Sequence, residues 1–325
     1  MRADDRDRRG VGTPPPAPLN SARTEYPTPF ITLLWFGVRD GGGRVAEQVA
    51  VVREALPGVA RRFAELVAGA PPQLNATADW TIADTVAHVA SIATMYTAIL
   101  PPEGGEVPVK QLAEQVRAVT VDTVADLNAM ALRHFADRDV KRLSVQLQST
   151  VDDLMKMTRG TDHERPIPWL GDSRVPVGGV LAHLVNELMV HGWDIARALR
   201  APWPMPAREA APFFDLFVVG MIRNGTGNIL DGPPPGDRRI AVAFRSRHTA
   251  PVTLVLHRGR VSVGDGPVDA RVRFDPATLN LVLFGRVSRL KAALGGKLVV
   301  SGRRPWLLPE FLRTVRLPTN ARPLS

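Results

Sequence analysis

The sequence predicts an α+β protein, helical in its first two-thirds and strand-rich beyond residue 240, and three observations lead there. Apolar residues recur at three- and four-residue steps from residue 44 onward. A run at 183–194 sets histidine, glutamate and histidine four residues apart, the spacing of one helix face. After residue 240, short β-branched runs separated by glycine and proline turns replace the helical period. With 325 residues, 45% of them hydrophobic, the chain has room for two domains of ordinary size. We divide it into an N-terminal extension (1–43), a helical part (44–200), a linking helix and Pro/Gly linker (201–239) and an α+β part (240–325).

Residues 1–29 carry Pro14-Pro15-Pro16, many arginines and aspartates and no period, so the extension is expected to be disordered or an over-long reading of the gene. Phe30 to Val38 is apolar but nine residues long, against the roughly 20 needed to span a bilayer. Arg39-Asp40-Gly41-Gly42-Gly43 follows directly, without the small-residue cleavage site of a signal peptide. No membrane span and a cytoplasmic location are the expectations.

Val45, Val49, Val52, Leu56, Val59, Phe63 and Leu66 form one stripe, predicting a helix to about residue 68, with Pro57-Gly58 as the place for a kink. Asp79 to His88 reads as a second helix start, capped by Thr81 or Asp79 with Asp84 in the first turn. His88, Ile92, Tyr96 and Ile99 share its apolar face. A third helix is expected from about Val121 to Phe135, with His134 on its surface or rim, and another from Leu143 to Met157. Residues 162–173, with His163, Arg165 and Trp169, read as a connecting loop whose position before the next helix would also suit a lid. Ala201 to Pro206 ends that helix, and Arg208 to Arg223 links onward to the Gly225–Asp237 linker with Pro233-Pro234-Pro235. Strands are expected at 240–245, 252–257, 260–263, 270–274 and 298–301. His257 to Arg260 forms a hairpin turn, and Asp275-Pro276 opens a helix running to Phe284.

The helix ending at Leu199 carries the chemistry. His183, Glu187 and His191 occupy a narrow arc flanked by Val180, Leu184, Leu188, Ile195 and Leu199, so ionisable side chains point into an apolar interior and need partners, hydrogen bonds or a metal. His183 and His191 lie about 12 Å apart along the axis and cannot share an ion. Either His183/Glu187 or Glu187/His191 could chelate one, and spacing alone leaves both open. A lone Glu-x-x-x-His is commonly just a hydrogen-bonded pair or a solvated face. His88 adds an inward imidazole from a second helix, and bundles build metal sites from facing helices.

Trp80 through His88, followed about a hundred residues later by His-Leu-x-x-Glu-x-x-x-His-x-Trp-Asp at 183–194, resembles the mycothiol-dependent maleylpyruvate isomerase family within the DinB-like metalloproteins. The resemblance covers roughly residues 44–200. It implies a four-helix DinB-like bundle with a divalent metal, usually zinc, on His88, Glu187 and His191, and mycothiol as thiol cosubstrate. His183 becomes a core or supporting residue. Asp194, one turn beyond His191, becomes the catalytic candidate that orients it or accepts a proton; an ion pair with Arg197 is the plainer alternative. Residues 269–302, with Leu279 to Gly285 and Ala292 to Leu298, resemble the sterol carrier protein type 2 fold, whose sheet and helices enclose an apolar ligand tunnel.

There is no cysteine, so disulfides, Cys-ligated zinc and a protein thiol nucleophile are excluded, and any sulfur chemistry needs an external thiol. The net charge of +9 is spread along the chain, with no basic block and few interleaved aromatics, which argues against a nucleic-acid partner. Two imidazoles and a carboxylate leave a tetrahedral ion one open position. A thiol bound there would ionise readily and attack a small electrophilic substrate, giving isomerisation if later expelled or thiol transfer if retained. Arg258 and Arg260 are candidates to hold a substrate carboxylate. Two other readings remain at this level: metal-activated hydrolysis by water, and a non-catalytic or regulatory binder of an apolar ligand with a vestigial metal site. The sequence gives no oligomeric state.

Overall fold

The first apolar stripe folds as α1 (Gly41–Val67) in a computed structural model of the protein, in which residues 41–101, 110–229 and 237–317 are described. The expected extension falls outside those residues except for Gly41 to Gly43, which begin α1, and so does the Pro233 to Pro235 linker. Pro57 removes one helical hydrogen bond, yet α1 runs through it, because Val52, Leu56, Val59 and Phe63 are buried on both sides of it. The second start is α2 (Ile82–Ile99). Thr81 is its cap: its Oγ1 accepts from the Asp84 amide, while the Asp84 carboxylate accepts from the Thr81 amide, both at 3.1 Å.

α3 (Lys110–Ala118) was not anticipated. α4 (Val124–His134) is the expected third helix, shortened at its start, with His134 exposed; α5 is Val140–Met157. The 162–173 segment is more ordered than a plain loop. Its β1 (Pro166–Pro168) pairs antiparallel with β2 (Arg174–Pro176), and the hairpin leads straight into α6 (Val177–Leu199). α1 packs on α5 and α6, and α2 on the same two, so the long helices α1, α5, α2 and α6 form the four-membered bundle, with the short α4 against the outside of α2.

The linking helix is a continuous helical segment from α7 (Ala207–Pro212) to α8 (Val219–Asn224), joined by a π-helical turn over Phe213–Val218. Pro212 lacks the amide that a regular helix would use, and the widened turn follows it. That turn splits its aromatic residues between two cores. Phe213 and Phe217 stack on each other at 5.1 Å beside the bundle, whereas Phe214 lies 5.4 Å from Phe244 and 5.1 Å from Phe274 in the sheet core.

All five expected strands form with the expected bounds: β3 (Ile240–Arg245), β4 (Val252–His257), β5 (Arg260–Val263), β6 (Ala270–Phe274) and β7 (Leu298–Ser301). Their order is β5-β4-β3-β6-β7, with only β3 and β6 parallel. Central β3 is buried along nearly its whole length and reads as a continuous apolar run. β6 alternates, with Ala270, Val272 and Phe274 inward and Arg271 and Arg273 outward. The β4–β5 hairpin turns through Arg258 and Gly259, both at positive φ (51° and 71°), as a two-residue type I′ connection requires. α9 (Pro276–Leu283) is capped by Asp275; α10 (Arg289–Leu294) and α11 (Leu308–Thr314) complete the region. The molecule is thus α+β, helical first and sheet-containing after.

Candidate metal centre

α6 is buried along almost all of its length, and this is what brings its polar stripe inside. Gly192 lets it do so: a β-carbon there would overlap the ring of Trp203, whose indole nitrogen donates to the Met189 carbonyl at 2.9 Å. From α2, His88 meets this stripe. The ligand atoms of His88, Glu187 and His191 all lie within 4.8 Å of one another, and all three residues are buried.

Glu187 stands at the middle of three imidazoles. Its Oε2 lies 3.5 Å from His88 Nε2 and 3.3 Å from His191 Nε2, and its Oε1 lies 3.5 Å from His183 Nε2. Charge-assisted hydrogen bonds run at about 2.7–2.9 Å. The wider gaps are close to the edge of a tetrahedron with metal–ligand bonds of about 2.05 Å, roughly 3.3 Å. The trio therefore fits a small divalent ion. His183 is tied off on its other side, its Nδ1 being 2.8 Å from the Tyr96 hydroxyl, so it supports Glu187 rather than joining His88 and His191. Of the two pairs left open by spacing, it is the Glu187/His191 end of the stripe that His88 approaches.

Burial alone would push the Glu187 carboxyl upward, but the nearby His183, His191 and His88 imidazoles outweigh it and hold it well below the usual carboxylate range. Burial lowers His88 and His183, which favours neutral imidazoles with a lone pair free for a metal. His191 is desolvated too, yet the hydrogen bonds to Asp194 and then Glu187 raise it overall. Trp80 covers the cluster, its ring 4.6 Å from that of His88 and 5.8 Å from that of His191.

Asp194 accepts from His191 Nδ1 at 3.2 Å, the contact that fixes which ring nitrogen faces the centre. Its partner is not Arg197, which lies over the Trp193 ring at 5.4 Å. Arg286, between α9 and α10, takes both carboxylate oxygens, at 3.1 and 2.8 Å, and donates a third bond to the Phe284 carbonyl at 2.8 Å. Both members of the pair are nearly inaccessible, at 2% and 1% exposure. No sequence signal pointed to Arg286, which stands 92 residues from Asp194. Tyr96 was legible only as a member of the apolar face.

The cluster forms one end of a cavity of about 690 Å³, walled by α2, α3, α4, the β1–β2 hairpin, α6 and the π turn. Trp169 of the hairpin lines it and packs edge-on against His183 at 5.3 Å, so the segment flanks the site. Arg258 and Arg260 do not line it. Both are exposed in the β4–β5 hairpin, and Arg258 faces Asp237 at 3.6 Å. The arginines on the cavity wall are Arg117, Arg174 and Arg286.

Residues 52–196 match the family model of the mycothiol maleylpyruvate isomerase N-terminal domain. All three candidate metal ligands and Asp194 fall inside that isomerase-type domain; Arg286 falls outside it. Two solved structures are similar in outline, the mycothiol-dependent maleylpyruvate isomerase and a histidine-to-alanine variant of it. Each is 11% identical over 79% of this chain and 92% of its own length, with a TM-score of 0.44. No curated protein matches the chain.

Proposed function

We propose that the protein is a cytoplasmic, metal-dependent enzyme that uses mycothiol to isomerise, or to transfer the thiol onto, a small electrophilic substrate. The observation that carries this is the buried Glu187 carboxylate, spaced from His88 and His191 as metal ligands are and open to a large cavity. The match of 52–196 to the isomerase domain supports it. His88, Glu187 and His191 would hold the ion, zinc by the chemistry of the donor set, and it would supply the Lewis acidity that turns a thiol into a thiolate.

The chain's own groups prepare that chemistry. Asp194, clamped by Arg286, keeps the proton of His191 on Nδ1, so Nε2 presents its lone pair to the centre. His183 holds the free oxygen of Glu187. Trp80 and Trp169 keep water from the cluster. In the reaction class proposed, the thiolate sulfur bonds to the β-carbon of a conjugated cis-alkene and the π pair moves to the carbonyl oxygen. Rotation about the resulting single bond and return of that pair expel the thiolate and leave the trans-alkene, with no net proton change. Protonation of the α-carbon, by the proton the thiol lost, leaves the thioether instead.

Elemental analysis of the full chain tests this reading. Near-stoichiometric zinc, absent from the His88→Ala, Glu187→Ala and His191→Ala proteins, together with mycothiol-dependent turnover of a cis-enone acid, is the expected result. Protein that takes up no divalent ion from supplemented buffer and shows no mycothiol-dependent turnover would overturn it. One observation favours a second reading, a sterol-carrier-like binder. Besides the large cavity, α9, α11 and the sheet enclose an apolar pocket of about 120 Å³ lined by Phe244, Leu254, Val272, Leu279 and Phe311.

A further inference from the structure

The large cavity has two unlike ends. At the metal end every charged group is committed: Glu187 to three imidazoles, and Asp194 to Arg286 and His191. Arg286 spends its donors on Asp194 and the Phe284 carbonyl. With a divalent ion present, Glu187, Asp194, Arg286 and the ion leave one net positive charge, which a single thiolate cancels. Away from that end the wall is mostly hydrocarbon, formed by Ile92, Met95 and Ile99 of α2, Leu127 of α4, and Met221 and Ile229, with Ser91, Asn128, Asp172 and Ser173 as its uncharged or acidic polar members. Among the described residues, the other cations on the wall, Arg117 and Arg174, are exposed and mark the solvent end.

A volume of about 690 Å³ lies well inside the roughly 300–1,000 Å³ of sites that enclose drug-sized molecules. A small dicarboxylate would leave much of it empty. A second carboxylate set against Met95 and Leu127, away from Arg117 and Arg174, would meet no counter-charge among the described residues, which is strongly unfavourable. We infer that this cavity selects electrophiles whose conjugated carbonyl reaches the metal end and whose remainder is an apolar arm, aromatic or aliphatic, without a second buried anionic group. The inference rests on the proposed thiol chemistry for what happens at the metal, but not for what fills the cavity.

The test is fluorescence titration of the full chain with N-phenyl-1-naphthylamine, an uncharged apolar probe, followed by displacement with maleate and with its mono-anilide. The anilide is expected to displace the probe at least 30-fold more tightly than maleate. Met95→Glu places a charge on a half-buried wall position that the smaller sheet pocket does not share, and should weaken probe binding about tenfold. Ala131→Phe, which fills the cavity from α4 without adding charge, should weaken it comparably, and Val145→Glu on the exposed face of α5 should not. Thermal melts of each variant guard against misfolding. Equal displacement by maleate, failure of the probe to bind, or indifference to both cavity variants would overturn the inference. If displacement follows the expected order while no substrate is turned over in the presence of mycothiol, the apolar preference stands and the enzymatic reading fails. If maleate is turned over as well as the anilide, the enzyme stands and the preference falls.

Discussion

Two of the aspartates that tie the helical region to the sheet region are treated oppositely. Asp194 on α6 meets a guanidinium across two short bonds and an imidazole besides. Asp215 in the π turn is partly buried and, among the described residues, accepts the Ala250 amide alone, at 3.0 Å, with Arg44 and Arg223 acting from a distance. Burial therefore raises its pKa to about 7. The difference lies in what the sheet region offers: the Arg286 guanidinium to Asp194, and from the 246–250 loop a backbone amide to Asp215.

Breaking the compensated pair should have the largest effect. Arg286→Ala strands Asp194 and is expected to cost about 3–5 kcal/mol in denaturant unfolding. The double replacement Asp194→Leu/Arg286→Met should recover most of that while weakening zinc retention, because His191 loses its orienting acceptor. If the single and double variants are equally unstable, the pair is not what stabilises the seam.

The uncompensated aspartate sharpens the contrast through pH. Its folded pKa lies above the unfolded value near 3.9, so the native state keeps a proton that the unfolded chain has released. Its contribution to stability is fully present below pH 4, falls as pH rises to about 7, and is flat beyond. The fall amounts to at most about 4 kcal/mol. Asp215→Asn should remove that slope and be the more stable protein at pH 8; parallel curves for the two proteins between pH 4 and 7 would refute the assignment.

Smaller effects set the scale. Gln48 donates to the His248 carbonyl at 2.8 Å beside Asp215, and Gln48→Leu should cost about 1 kcal/mol by thermal melting. Thr81→Ala, which removes the α2 cap, should also cost about 1 kcal/mol and leave the slope between pH 4 and 7 unchanged.

Much of the fold was legible because its signals are local. The strands of the sheet carry β-branched runs bounded by turns, and the Thr81/Asp84 box and the Asp275 cap are written in adjacent residues. Boundaries slipped where tertiary contacts intervene: α4 is shorter than its stripe suggests, α3 gave no clear period, and the segment before α6 pairs as a hairpin. In the site, the inward histidines and glutamate were readable from period alone. Which of them gather was not, since His88 reaches Glu187 only through the packing of α2 on α6.

By itself the sequence determined the order of the long helices and of the five strands of the sheet, the absence of any thiol, and a polar stripe on a largely apolar helix, because these follow from residue type and short-range period. Only the tertiary structure decided that His183 turns to Tyr96 while His191 turns to Asp194, that Arg286 rather than Arg197 closes the pair, and that the cavity beyond is mostly hydrocarbon. Those outcomes depend on charges and surfaces brought together from distant parts of the chain, where desolvation makes each partner decisive and no local pattern records it.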